Sequence, residues 1–168
     1  MTSTTAFERL RGGFRSLAAL LISGGAFGAG LVVYTEYQLI ATSSQAVLLD
    51  PGFLGLFVWS VVTGVRMWRG DSRAMTWAKI LFAIQIPMFT VHGFNFEYFT
   101  GASAPLLFGP GGTNLTLSFS AKYFFFHDSL VDRLVVGVNL VAVLALILLL
   151  AWARPNNALE QTRGHQLR

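Results

Sequence analysis

His92, His127, Asp128 and Asp132 are the side chains of this sequence best suited to chemistry. If residues 75–94 form a helix, Gln85, His92 and Asn95 fall near one of its faces. If residues 129–152 form another, Asp128, Asp132 and Asn139 share a face at spacings of four and seven. His127 and Arg133 adjoin that face. Were the two faces to meet, neutral imidazole and carboxylate would converge. Such a set suits Zn²⁺ or another divalent ion. It would equally relay a proton, because histidine titrates near neutral pH. Each residue also has a plain structural reading. Asp128 can cap a helix, and Ser129-Leu130-Val131-Asp132 has the form of a capping box. Arg133 can pair with Glu97 or Asp128, and His92 can be a hydrogen-bonded interfacial histidine. His127 lacks a partner at the spacing of a helical metal motif. No metal or other cofactor is therefore assigned.

The elements that must position these residues are apolar. The chain is 54% hydrophobic and 12% charged, against roughly 25% charged in globular domains, which points to lipid as solvent. The apolar runs predict membrane spans over about residues 16–37, 51–68, 75–94 and 129–152, each close to the ~20 residues that a span needs. Asp50-Pro51 reads as an N-cap followed by a proline that starts a helix. The short basic turn 69–73 makes the second and third spans antiparallel neighbours. Pro87 should kink the third. A cleaved secretory signal is the competing reading of the first run, but its apolar pattern continues through Leu31, Val32 and Val33.

Charge gives these spans a direction. Arg9, Arg11, Arg15, Arg66, Arg69, Arg73, Lys79, Arg154, Arg163 and Arg168 all fall on one side of the alternating layout. Only Lys122 and Arg133 fall on the other, so the positive-inside rule places both termini in the cytoplasm. Arg66 is close enough to its helix end to snorkel. The net charge of +4 flanks apolar runs instead of forming a stripe, so nucleic acid is not an expected partner. The absence of cysteine removes disulfides, thiolate metal sites and Cys nucleophiles.

Small residues mark the packing faces. Gly24 and Gly28 form GxxxG, and Ala26 with Gly30 repeats the spacing, which lets two backbones approach closely in lipid. They predict either a homo-oligomer face or packing on the protein's own second span, where Ser60 and Gly64 are the counterpart. Between the third and fourth spans, Gly109-Pro110-Gly111-Gly112 marks a turn. After it, Leu115, Leu117, Phe119, Ala121, Tyr123 and Phe125 alternate with polar residues, the period of a half-buried strand. Its expected partner is the stretch around residues 104–108, weakened by Pro105. Abundant Phe and Tyr on both sides place this cap at an interfacial aromatic belt.

One resemblance is confined to the tail. Residues 154–163, Arg-Pro-Asn-Asn-Ala-Leu-Glu-Gln-Thr-Arg, resemble the peptide made when translation reads into the recombination site of a bacterial integron gene cassette. The resemblance implies a mobile accessory gene and a tail without functional residues. The polar tail 155–168 also lacks apolar periodicity.

The expected fold is thus an all-α four-helix membrane bundle, residues 1–154, with a small aromatic β-hairpin cap, in a bacterial inner membrane. The expected function is a non-enzymatic accessory protein that binds a protein partner or lipid at its outer face. Two alternatives are a small transporter using Gln85, His92 and Asn139, and a membrane enzyme using His92, His127, Asp128 and Asp132.

Overall fold

Among the described residues, four helices and eight strands follow one another in blocks. The computed structural model describes residues 3–42, 50–91, 94–127 and 134–152. Three helices come first: α1 (Ser3–Thr42), α2 (Asp50–Trp68) and α3 (Ser72–Ile84). Strands follow: β1 (Pro87–Val91), β2 (Phe94–Phe99), β3 (Ala102–Ser103), β4 (Pro105–Gly109), β5 (Gly112–Leu115), β6 (Ser118–Phe119), β7 (Lys122–His127) and β8 (Val135–Asn139). Helix α4 (Leu140–Trp152) continues directly from β8.

The turn between α2 and α3 shows why the chain reverses there. Gly70 has φ +82°, the left-handed conformation that glycine adopts without a Cβ penalty. Its N–H bonds the Met67 carbonyl at 2.9 Å, and the Asp71 N–H reaches back to Arg66 at 3.0 Å. Together these form the six-to-one and five-to-two pair that satisfies helix-end carbonyls. Asp71 then caps α3, its carboxylate accepting from the Arg73 N–H at 2.9 Å.

The strands form a six-stranded antiparallel sheet in the order β5-β4-β8-β1-β2-β7, and β3 pairs with β6 apart from it. This order has a geometric consequence. β5 and β7 lie at opposite edges, so the chain between Leu115 and Lys122 must cross the sheet. Five strand spacings of about 4.8 Å make ~24 Å, and seven extended steps of ~3.4 Å reach the same distance. A flat sheet and a straight path would thus leave the crossing no slack, yet it bends at Ser120. Beside it runs the 100–104 segment from β2 to β4. The two crossings pair through Ala102↔Phe119 and Ser103↔Ser118, with the two serine hydroxyls 2.7 Å apart. They form a two-stranded strap at the junction of sheet and helices.

This architecture overturns the all-α four-span bundle. Residues 16–37 and 51–68 lie in α1 and α2, but the third run is helical only to Ile84 and the fourth only from Leu140. Pro87 has no N–H to continue α3 and disfavours helix at Ile86. In the fourth run, Val135, Val136 and Val138 are β-branched residues that suit a pleated surface. They complete a central strand, β8, held between β1 and β4. The turn at residues 109–112 does close a hairpin, with residues 106–109 paired to 112–115, but it is one edge of the larger sheet instead of a separate cap, and the later part of the alternating run, β7, pairs with β2. A multi-pass inner-membrane protein with both termini cytoplasmic is likewise not supported. Among the described residues only Gly12–Gln38 of α1 is long and apolar enough to cross a membrane. At 1.5 Å per residue those 27 residues extend ~40 Å, enough for a ~30 Å hydrocarbon layer.

Two apolar clusters hold the layers together. Leu17, Ala18 and Leu21 of α1 pack with Met67, Ala74, Ala78, Leu81, Phe82, Ala142, Ala145 and Leu149, joining all four helices. Val32, Phe53, Phe57, Tyr98 and Ala121 join α1 and α2 to the sheet. The expected glycine face is internal. A Cβ at Gly28 would fall inside the Phe57 ring, one at Gly24 would strike the Thr100–Gly101 backbone, and one at Gly64 would meet Ala18 and Ile22. Ala26 is exposed, and nothing lies within 4 Å of a Cβ at Gly30. Outer helix surfaces also carry large exposed apolar side chains, among them Phe27, Tyr34, Val58, Trp77 and Leu144.

Candidate functional site

The residues singled out by sequence scatter across the structure. His92, Asp128, Asp132 and Arg133 lie outside the described residues. Asn95 and His127 are placed by their backbone, in β2 opposite Phe126 and in β7 opposite Phe94 respectively. The shared helical face of Asp128, Asp132 and Asn139 does not form. Residues 135–139 are strand, so the chain there has a period of two instead of 3.6. Among the described residues no three His, Cys, Asp or Glu side chains come together as a metal site.

Gln85 and Asn139 do come together, in a structural role. Both are 1% exposed and sit where α3 becomes β1 and where β8 becomes α4. The Asn139 N–H bonds the Ile86 carbonyl at 3.0 Å, which joins the two transitions. The Gln85 carboxamide oxygen accepts from the Thr100 N–H at 3.0 Å. The Asn139 oxygen accepts from the N–H groups of Ala104 at 3.1 Å and Val141 at 3.2 Å. The two side chains thus clasp both ends of the first strap segment. Their amide nitrogens have no partner among the described residues, a cost that the clasp must outweigh.

Ser60, expected as a small packing residue, is a polar contact. Its hydroxyl bonds the Leu56 carbonyl at 3.0 Å and lies 3.3 Å from the Tyr98 hydroxyl. Tyr98 is fully buried, its ring 5.3 Å from that of Phe57 and 6.0 Å from that of Phe53. Burial pushes its phenol pKa up to about 12, against a smaller lowering by Ser60.

A concavity lies on the sheet beneath this crossing. It encloses about 400 Å³, within the size range of small-molecule sites. Phe99, Met88, Leu107 and Val135 supply apolar walls; Phe89 and Phe96 border it through their strands, and their side chains turn to the opposite face of the sheet. Phe89 and Phe96 are cross-strand partners whose rings stack at 5.5 Å and 22°. Thr90, Thr116, Ser118 and Ser120 add hydroxyls. Glu97 and Lys122 complete the lining and form an ion pair with each other. Their register explains the pair: Glu97 faces Phe124 and Lys122 faces Phe99, so the two charges are diagonal neighbours across the strands. Glu97 thus pairs with Lys122; its other expected partner, Arg133, lies outside the described residues. The side chains are 15% and 52% exposed respectively, which leaves Lys122 the more open to a ligand.

Sequence reasoning missed this site. The usable signal was one acid and one base, Glu97 and Lys122, each within an aromatic segment of strand composition. Comparison with known proteins adds no likeness: no family model, no curated protein and no solved structure matches the chain.

Proposed function

We propose that this protein is a membrane-anchored, non-enzymatic binding protein whose sheet cleft holds a small amphipathic molecule. The cleft carries the reading. Its apolar walls, Phe99, Met88, Leu107 and Val135, suit an apolar body, and its hydroxyls with the Glu97–Lys122 pair suit one polar or charged end. A few placed polar groups in a mainly apolar hollow is the usual composition of a ligand site. Glu97 and Lys122 engage each other, so neither stands as a free general base or nucleophile. The apolar length of α1 supports anchoring in a bilayer.

The test is binding of N-phenyl-1-naphthylamine, an apolar fluorophore with one polar group, to the purified protein in detergent. Saturable fluorescence gain and displacement by a free fatty acid are expected. Thr116 is exposed and lines the cleft, so Thr116→Trp should fill it while the fold stays intact. Probe affinity should then fall about tenfold or more, or at least ~1.4 kcal/mol, at an unchanged melting temperature. Equal affinity in both proteins would dismiss the cleft as the site.

A further inference from the structure

The end of the helical layer farthest from the sheet is basic, aromatic and grooved. Arg15 of α1, Arg66 at the end of α2, Arg69 in the turn and Arg73 at the start of α3 are all exposed. The carboxylate in that turn, Asp71, is occupied in capping α3. The ion pair among the described residues, Glu97–Lys122, lies in the sheet instead. The Arg15 guanidinium sits 5.7 Å from the Trp68 ring centroid, within cation–π range. Trp152 meets Phe14 edge-on at 5.0 Å at the same end. Tryptophan beside arginine is the composition of a membrane interface.

Between α1 and α2 a groove of about 340 Å³ opens at this end, lined by Ala19, Ile22, Ser23, Val65, Trp68 and Arg69. Its floor is apolar and an arginine stands in its lining. A free anion would use the arginines and leave the groove empty. An acyl chain would fill the groove and leave the arginines unpaired. A molecule with both parts satisfies both features.

We propose that this end is a binding site for an anionic phospholipid, with its phosphate held by Arg69 and neighbouring arginines and one acyl chain in the α1–α2 groove. The site rests on the reading of α1 as seated in a membrane and is independent of the sheet cleft. Each arginine near an anionic headgroup should contribute about a fivefold preference over a neutral lipid.

The test uses the full chain in phosphatidylcholine nanodiscs containing a small fraction of acyl-brominated phosphatidylglycerol or acyl-brominated phosphatidylcholine. Bromine quenches a tryptophan that it touches. Phosphatidylglycerol should quench at least about fivefold more strongly at equal mole fraction, and Trp68→Phe should remove most of the difference. Arg69→Gln with Arg73→Gln should also abolish the preference, whereas Arg69→Lys should keep part of it and control for folding. Equal quenching by the two lipids would overturn the proposal. So would displacement by millimolar glycerol 3-phosphate, which would mark a headgroup-only anion site. Thr116→Trp should leave the preference unchanged, so a failure of the cleft and a failure of this site read out separately.

Discussion

Tyr98 keys the sheet to α2, and its buried hydroxyl should make the protein fail in a particular alkaline window. The phenol is neutral in the folded state with a pKa of about 12, against 10 for the free group. The folded protein therefore holds this proton more tightly than the unfolded chain does. That stabilisation is complete below pH 10 and is lost as the pH rises toward 12. Two pKa units at 1.36 kcal/mol each amount to about 3 kcal/mol, undiminished by solvent because Tyr98 is 0% exposed. About 2.3 kcal/mol of this is lost by pH 12, which for a chain of this length corresponds to a fall in melting temperature of roughly 5–9 °C from pH 9. Alkali acts on the rest of the chain as well, so the comparison is with Tyr98→Phe. That variant loses one hydroxyl contact, while Ser60 keeps its bond to Leu56. It should begin about 1 kcal/mol less stable and then lose much less than wild type as the pH is raised. Thermal unfolding followed by tryptophan fluorescence, with tyrosinate absorbance read in parallel, gives both quantities. Parallel pH profiles for the two proteins, or a full complement of tyrosines titrating near pH 10 before unfolding, would refute the argument.

Two further substitutions probe the junctions. Asn139→Leu removes the acceptor of the Ala104 and Val141 N–H groups, at about 1–3 kcal/mol for each donor left unpaired. Loss of the unpartnered amide nitrogen offsets part of this, and thermal unfolding should register a net loss of about 3 kcal/mol. Gly28→Val drives a side chain into the Phe57 ring and should cost about 1–3 kcal/mol. Gly30→Val meets open space and should change stability little. Similar losses for the two valine variants would mean that α1 does not pack through the Gly28 face.

The apolar runs were legible in the sequence because burial needs only apolar side chains. Their secondary structure was legible for α1 and α2, where no residue interrupts a helix longer than a strand could be. It was not legible from Pro87 to Val91 or from Val135 to Asn139. A short continuous apolar run has the same signature in a buried strand as in a helix. The partner that decides between them is another strand distant in sequence: β8 pairs with β1 some 50 residues earlier and with β4 some 30 earlier. Polarity within apolar runs drew attention to Gln85 and Asn139. What they bind, the backbone at Thr100 and Ala104, carries no side-chain signature and so left no trace in the sequence. The Glu97–Lys122 pair needed the β2–β7 register to be recognised.

The two joints at Gln85–Pro87 and Asn139–Leu140 connect a helix that repeats every 3.6 residues to a strand that repeats every two. Each joint therefore fixes the rotational phase of one element against the other. Removing one residue at Ile86 would turn α3 by about 100° relative to β1 or reverse which face of β1 meets the cleft. It would also displace the carbonyl that receives the Asn139 N–H. The turn at Gly111, with nothing near its Cβ position, closes an edge hairpin whose far side is solvent and which carries no such phase. Length can thus vary freely at one corner of this molecule, while at its two joints the spacing of residues matters as much as their identity.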